Sequence, residues 1–173
     1  RDNFHLLVRL DVIFAKARLA YRMRAWAPEM NDQGRVELRM ARHPLIDSKK
    51  VVPISLHLGT DFDTMIITGP NTGGKTVSLK TVGLFTLMGQ AGLHIPALDR
   101  SELSIFTNVF ADIGDEQSIE DDLATYSSHL LNMKNMMKLC DEKSIILIDE
   151  FGGGTEPQIG GAIAESVLKR LND

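Results

Sequence analysis

The sequence predicts an α/β fold whose strand ends form a binding site. Two apolar runs, residues 64–68 and 145–148, have the length and composition of buried strands. A glycine-rich stretch, residues 69–76, separates the first run from a segment that can form a helix. The second run ends in two adjacent carboxylates, and open α/β sheets bind ligands beyond the carboxyl ends of their strands.

Composition indicates one domain with a hydrophobic core. The chain has 173 residues, of which 43% are hydrophobic, and its net charge of −4 gives no overall basic signature of nucleic-acid binding. The single cysteine, Cys140, excludes a disulfide framework and favours a reducing, cytoplasmic compartment. No apolar run is long enough to span a membrane and no signal peptide is visible, so we expect no membrane partner. Because the chain begins with Arg1 rather than Met, we expect it to be part of something longer.

Residues 1–27 are predicted to be helical, with Pro28 ending the element. Apolar residues recur at alternating spacings of three and four, at Leu7, Leu10, Phe14, Ala17 and Tyr21. Charged helix faces are usually solvated, which favours a surface helix or the stub of a longer coiled arm. The basic residues of the segment leave a DNA-contacting helix as the alternative.

Residues 28–60 are predicted to form a small β-subdomain. Residues 35–40 alternate in polarity like a strand, and the alternation from Ile54 onward suggests an edge strand or a hairpin. A β-subdomain before a glycine-rich turn often holds the base of a nucleotide. His43, or the edge at Val51 and Val52, is therefore a candidate adenine contact, with a purely structural role for His43 as the open alternative.

The glycine-rich stretch fits the P-loop, or Walker A, pattern G-x-x-x-x-G-K-[ST]. Its members are Gly69, Pro70, Asn71, Thr72, Gly73, Gly74, Lys75 and Thr76. A predicted strand precedes the pattern and a predicted helix follows it, which is the context in which its backbone N–H groups converge on phosphate. Lys75 is expected to reach the β- and γ-phosphates, and the hydroxyl of Thr76 to hold Mg²⁺.

The helix after the P-loop is expected to run to Gly92. Its buried side is predicted at Leu79, Val82, Phe85 and Thr86, with Gly83 and Gly89 permitting close packing on a sheet. A strand is predicted over residues 104–110. The acidic residues 112–122 that follow are either a solvated loop or a loop that reports nucleotide state through Asp115 or Gln117.

A helix predicted from Leu123 has an apolar face that includes Leu130, Met133 and Cys140. The buried strand that follows delivers Asp149 and Glu150, which fits the Walker B pattern. Asp149 is expected to hold Mg²⁺, and Glu150 to accept a proton from the attacking water. A final helix is predicted over residues 159–171.

These motifs resemble the MutS family of ABC-type ATPases. The P-loop has that family's Pro-Asn pair, and Asp149-Glu150 precedes a similar Phe-Gly-Gly-Gly-Thr loop. Residues 42–44, Arg-His-Pro, resemble the start of the family's ATPase domain. The runs 110–119 and 92–97 are more specific, because they are similar to the second bacterial branch, the recombination-suppressing type with a C-terminal Smr nuclease domain. The resemblance covers nearly the whole chain.

The resemblance implies a P-loop NTPase fold of the ABC type, with a β-subdomain before the P-loop and an N-terminal helical stub. Residues 1–28 would be the end of the lever helices, and residues 29–173 the ATPase domain. It further implies Mg²⁺-dependent ATP hydrolysis in a homodimer formed through the ATPase face. The parent is expected to be a nucleoid-associated bacterial protein that binds branched or mismatched DNA, or another large assembly such as a stalled ribosome. Any nuclease activity would lie outside these residues.

The resemblance also implies that each ATP contacts a signature loop of the partner subunit, which corresponds to residues 124–128 in this sequence. Ala124 stands where the family usually has the serine that contacts the γ-phosphate in trans. Thr125, Ser127 or the helix N-terminus are then the alternatives for this contact. The family's next strand, which follows Asp173, is absent from this sequence, so we expect an exposed sheet flank and weak activity of these residues alone.

Other functions remain as alternatives. A mismatch-recognising sensor is one, although residues 110–120 argue against it. An ATP-binding switch with negligible hydrolysis is another, and Ala124 favours it. An ATPase of the chromosome-structure type needs a long coiled insertion, for which the interval between Thr76 and Asp149 has no room.

Overall fold

A computed structural model describes residues 1–70, 74–113, 122–150 and 157–173, without the side chains of 122–126, 157, 159 and 160. Four helices and six strands lie in these ranges, a mixed α/β architecture as the sequence predicts. The chain divides into two compact units. The first comprises Arg1–Phe62 and Lys80–Ile105, and the second comprises Asp63–Leu79 and Phe106–Asp173.

The first unit is built on a four-stranded sheet. In chain order its elements are α1 (Asp2–Met23), β1 (Glu29–Asn31), β2 (Val36–Ala41), β3 (Ile54–Leu58), most of α2 (Lys75–Gln90) and β4 (Glu102–Ser104). The spatial order of the strands is β1-β4-β2-β3, so β3 is an edge strand, as predicted. β1 and β4 are parallel, whereas β2 is antiparallel to both β4 and β3.

The core of this unit lies between the sheet and α2. Alternation along β2 buries Val36 and Leu38, and Ala41 is buried beyond the register shift that follows Leu38. Helix α2 buries Val82 and Phe85 as predicted. Two further members of the core come from the segment after α2 and from β4, namely Ile95 and Leu103. Leu79, expected on the buried side of α2, is half-buried.

Helix α1 ends at Met23 and does not reach Pro28. Arg24 takes the left-handed conformation with φ 51°, and Ala25 N–H donates to Ala20 O at 2.9 Å, which closes the last turn. Arg42 adds a cap, since its Nη2 donates to Met23 O at 3.0 Å and to Arg24 O at 3.1 Å. The predicted apolar positions of α1 are largely solvent-exposed, with Tyr21 at 88%.

Gly89 provides the close helix–sheet approach that the sequence predicts. A Cβ at this position would lie 2.7 Å from Leu103 Cδ1, and Leu103 is fully buried. Helix α2 ends at Gln90, two residues before the end predicted at Gly92. Gly92 has φ 77°, and Leu93 N–H donates to Met88 O at 2.9 Å, which caps the helix.

We predict different effects of alanine on stability at two helical glycines. Gly161→Ala in a helix of the second unit, where a Cβ meets no described atom within 4 Å, should raise the unfolding free energy by roughly 0.5–1 kcal/mol through helix propensity. Gly89→Ala gains the same propensity but overpacks a core, which costs about 1–3 kcal/mol, so it should be neutral or destabilising. Urea unfolding of both variants measures the difference, and equal stabilisation would contradict the packing assigned to Gly89.

The second unit contains a parallel strand pair and two helices. β5 (Asn108–Asp112) pairs with β6 (Ser144–Ile148), and Asp112 lies opposite Ile148. The helices are α3 (Asp122–Leu139) and α4 (Pro157–Asn172), which agree with the predicted third and fourth helices. Buried apolar side chains come from the strand β6 and from both helices, namely Met133, Met136, Ile145, Leu147 and Val167. Leu130, predicted on the buried face of α3, is partly exposed.

Two strand predictions are wrong. Residues 64–68 form no strand and are solvent-exposed, with Ile66 at 69%, because in the described part of the chain β5 and β6 pair with each other and not with this segment. Residues 104–110 are not one strand. The backbone changes partner between Ile105, whose N–H donates to Asn31 O, and Thr107, whose N–H donates to Lys143 O, so β4 and β5 belong to different sheets.

No helix in the described ranges is both long enough and apolar enough to cross a membrane.

Candidate functional site

The start of α2 and the end of β6 meet through a side-chain hydrogen bond. Thr76 is the second residue of α2, and its Oγ1 donates to Oδ2 of Asp149, the residue after β6. Asp149 is 8% exposed, so this contact lies largely away from water. The last residue of the P-loop pattern and the first carboxylate after the buried strand are thus in contact, although 73 positions separate them.

The other described P-loop residues surround the same helix start. Lys75 Nζ donates to Gly69 O at 2.7 Å across the loop. Gly69 has φ 148° and Gly74 has φ 77°, backbone conformations that L side chains rarely adopt. Ser78 N–H donates to Gly74 O at 2.9 Å, which continues the helix into the loop. Pro70 is exposed, and the predicted phosphate ligands Asn71, Thr72 and Gly73 lie outside the described residues.

Asp149 and Glu150 differ in their surroundings. The second carboxylate oxygen of Asp149, Oδ1, accepts the backbone N–H of Glu150 at 3.0 Å. Glu150 itself is solvent-exposed and has φ 50°, a left-handed conformation that a residue with a Cβ adopts only at a cost. The buried, hydrogen-bonded carboxylate of Asp149 is suited to hold a metal ion in a fixed position. The exposed carboxylate of Glu150 is suited to contact a water molecule.

The oxygen donors present fit Mg²⁺. This ion is usually bound by one or two protein oxygen ligands together with phosphates and water, rather than by an all-protein cage. The Thr76 hydroxyl and the Asp149 carboxylate supply such a pair. Among the described residues no group of three or more His, Cys, Asp or Glu side chains could hold a metal ion.

Asp112 lies beside Asp149, and the sequence alone does not single it out. The sequence predicts it in an acidic loop, either solvated or reporting nucleotide state, yet it is the last residue of β5 and its side chain is only 6% exposed. His129 Nδ1 lies 2.6 Å from its Oδ2, and Asn132 Nδ2 donates to its Oδ1 at 3.2 Å. A carboxylate at the carboxyl end of a strand, near where Asp149 follows β6, is the signal that could have identified it.

The predicted trans-acting residues lie in the first turns of α3. Ala124 and Thr125 are in the helix, but their side chains lie outside the described part, and Ser127 is exposed. The candidate reporters of nucleotide state, Asp115 and Gln117, also fall outside the described residues.

His43 lies in the first unit, after β2. Its ring is half-buried, and Nδ1 accepts the backbone N–H of Leu45 at 3.2 Å. Burial lowers the pKa of His43 below its ordinary value of 6.5, and the positive charge of Lys80 acts in the same direction. His43 therefore stays a neutral hydrogen-bond acceptor at neutral pH. Val52, the alternative adenine contact, is largely exposed outside any strand.

This lowered pKa predicts a pH dependence of stability. Because the unfolded chain binds the His43 proton more readily, the contribution of His43 is complete above its ordinary pKa of 6.5 and is lost as pH falls toward the lower folded-state pKa. His43→Asn retains an acceptor for Leu45 N–H but does not titrate. The loss of thermal stability between about pH 7.5 and about pH 5.5 should be larger for the wild type than for this variant. Equal losses would show that His43 is not responsible.

Comparison with known proteins places these features in a family. Residues 65–173 match the family described as MutS domain V. A protein of Agathobacter rectalis named Endonuclease MutS2 is 58% identical over 171 residues, which is 99% of this chain and 22% of that protein. Proteins of the same name from Geobacillus sp. and Lachnospira eligens are 55% and 57% identical, over 99% and 98% of this chain and 22% of each relative.

The chain thus spans about a fifth of the length of these relatives, at 22%. Their name agrees with the second bacterial branch that residues 92–97 and 110–119 resemble. From the match over residues 65–173 and the identities over nearly all of its length, we conclude that the chain belongs to the MutS family.

Proposed function

We propose that this chain is the ATPase domain of a MutS-type DNA-binding protein and that it hydrolyses ATP to ADP and phosphate. The observation that supports this most strongly is the Thr76–Asp149 hydrogen bond. It joins the end of a P-loop pattern to the carboxylate after a buried strand, the two protein groups that hold Mg²⁺ in P-loop ATPases. Membership of the MutS family supports the same reaction class.

Each described site residue then has a role. Gly69 and Gly74 shape the loop whose backbone N–H groups meet phosphate, and Lys75 pairs with the β- and γ-phosphate oxygens. Thr76 and Asp149 hold Mg²⁺, which when bound neutralises charge on those oxygens. Glu150 accepts a proton as a water oxygen bonds to the γ-phosphorus and the bond to the bridging oxygen breaks.

In the whole protein, we propose that ATP binding drives closure of a homodimer through the ATPase faces and so controls binding to branched or mismatched DNA. A stalled ribosome is the alternative assembly that we propose for the whole protein. The alternative function is an ATP-binding switch with negligible hydrolysis. Ala124 favours it, because an alanine offers no hydroxyl to a γ-phosphate in trans.

The Mg²⁺ role is tested by comparing Thr76→Val with Thr86→Val. Both changes remove one hydroxyl from α2, and the Thr86 hydroxyl donates to Val82 O within the helix. Wild type and Thr86→Val should bind ATP at least tenfold more tightly with Mg²⁺ than without it, roughly the effect of one charge-assisted contact. Thr76→Val should lose most of that difference while binding metal-free ATP as before.

Calorimetric titration with ATP, with and without Mg²⁺, makes this comparison. An unchanged Mg²⁺ dependence in Thr76→Val would remove Thr76 from the metal site. Tight ATP binding by the wild type without measurable phosphate release would favour the switch over the ATPase.

A further inference from the structure

The carboxylate of Asp112 is buried and is held by one helix. His129 and Asn132 lie three positions apart on α3, so they share a helix face, and both reach this carboxylate. The His129 ring is 24% exposed, whereas the Asp112 side chain is 6% exposed. A polar group removed from water to this extent is costly unless it is hydrogen-bonded. His129 at 2.6 Å provides the shorter contact and Asn132 at 3.2 Å the longer one.

The backbone of Asp112 is in turn bonded to Asp149. Asp149 N–H donates to Asp112 O at 2.9 Å, which extends the parallel β5–β6 pairing by one residue beyond β6. The two aspartates therefore lie side by side at the carboxyl ends of adjacent strands. A displacement of the Asp112 backbone would also displace the backbone of Asp149. The Asp149 carboxylate has its own partners in Thr76 Oγ1 and Glu150 N–H. In the described part of the chain, the His129 contact therefore reaches Asp149 through Asp112.

We propose that His129 is a positioning residue for the metal-binding carboxylate. Together with Asn132 it fixes Asp112, and Asp112 fixes the backbone from which Asp149 reaches Thr76. Partners that orient a metal ligand without touching the metal commonly change metal affinity by about ten- to a hundredfold when they are removed. The proposal rests on the proposed function, because it assigns Asp149 to Mg²⁺.

Two amide substitutions separate positioning from packing. In asparagine the amide nitrogen is close to the place of histidine Nδ1, so His129→Asn can still donate to Asp112. In glutamine the nitrogen is nearer the place of Nε2, so His129→Gln fills the space without restoring the hydrogen bond to Asp112.

Two further variants complete the set. Asn132→Ala removes the donor with the longer contact to Asp112, from an exposed residue. Asn135→Gln is the control, at an exposed position of the same helix.

Two measurements on the full chain test the proposal. The first is Mn²⁺ affinity in the presence of ADP, followed by electron paramagnetic resonance, since Mn²⁺ occupies oxygen-ligand sites like those of Mg²⁺. His129→Gln should bind Mn²⁺ about tenfold more weakly, with a smaller effect in Asn132→Ala. His129→Asn and Asn135→Gln should match the wild type. The second is hydrogen exchange of the Asp149 amide without nucleotide, which should be faster in His129→Gln than in His129→Asn.

The outcomes are distinct. Equal Mn²⁺ affinity in the two His129 variants, or equal exchange at Asp149, would overturn the positioning role. A loss of thermal stability with wild-type Mn²⁺ affinity would reduce His129 to a structural contact and also overturn it. Failure of the wild type to bind Mn²⁺ with ADP would overturn the proposed function, and any remaining exchange difference would then describe a purely structural link. If His129→Gln does not fold, Asn132→Ala decides by the same two measurements.

Discussion

Glu150→Gln is expected to slow ATP hydrolysis by roughly a hundredfold to ten-thousandfold, the range that a general base contributes. Glutamine has nearly the same shape and keeps the left-handed backbone at φ 50°, but it cannot take the proton of the attacking water. ATP affinity should stay within about threefold of the wild type, because less than one kcal/mol of binding is at stake. Single-turnover hydrolysis and nucleotide titration measure the two quantities separately.

The matched control is Glu165→Gln on α4. Glu165 is exposed and its Oε1 accepts from Lys169 Nζ at 2.7 Å, a surface pair that contributes little to stability. Its loss should leave hydrolysis unchanged. A Glu150→Gln variant that hydrolyses ATP at the wild-type rate would mean that another group accepts the proton.

Lys75→Ala should weaken ATP binding by roughly ten- to a hundredfold, since a charged hydrogen bond contributes about 1.5–3 kcal/mol and each 1.4 kcal/mol is tenfold. Hydrolysis should fall further, because charge on the phosphate oxygens increases toward the transition state. The variant also loses the Nζ bond to Gly69 O, so the loop end loses one restraint. Fluorescent-nucleotide titration gives the affinity and phosphate release gives the rate.

Lys138→Ala, an exposed lysine in the last turn of α3, removes the same charge from another helix. This control should bind and hydrolyse ATP like the wild type. If Lys75→Ala and Lys138→Ala bind ATP equally well, the P-loop pattern does not mark a nucleotide site in this chain.

The parts of the fold and site that could be predicted were those with local causes. Alternating polarity predicts strand β2, and a glycine predicts the turn at Gly92 that follows α2. An apolar run that ends in two carboxylates predicts β6 and the position of Asp149. The proximity of Thr76 and Asp149 was also expected, because the two motifs assign both side chains to one Mg²⁺. Each of these features depends on a few neighbouring residues.

Features that depend on distant backbone partners could not be predicted. Apolar residues at 64–68 indicate a strand, but a strand exists only where another backbone pairs with it. The change of partner from Asn31 O to Lys143 O divides residues 104–110, and nothing in the local pattern marks it. The burial of Asp112 depends on donors from α3, which lie 17 and 20 positions away in sequence.

Sedimentation of the Glu150→Gln variant, with and without ATP and Mg²⁺, would test the proposed ATP-dependent closure most directly. Without the general base, ATP should persist and hold two copies together, giving an ATP-dependent shift from monomer to dimer. Adding Lys75→Ala should abolish that shift. A chain that stays monomeric and binds no ATP would contradict the nucleotide site itself, and a monomer that still binds ATP would contradict closure by these residues.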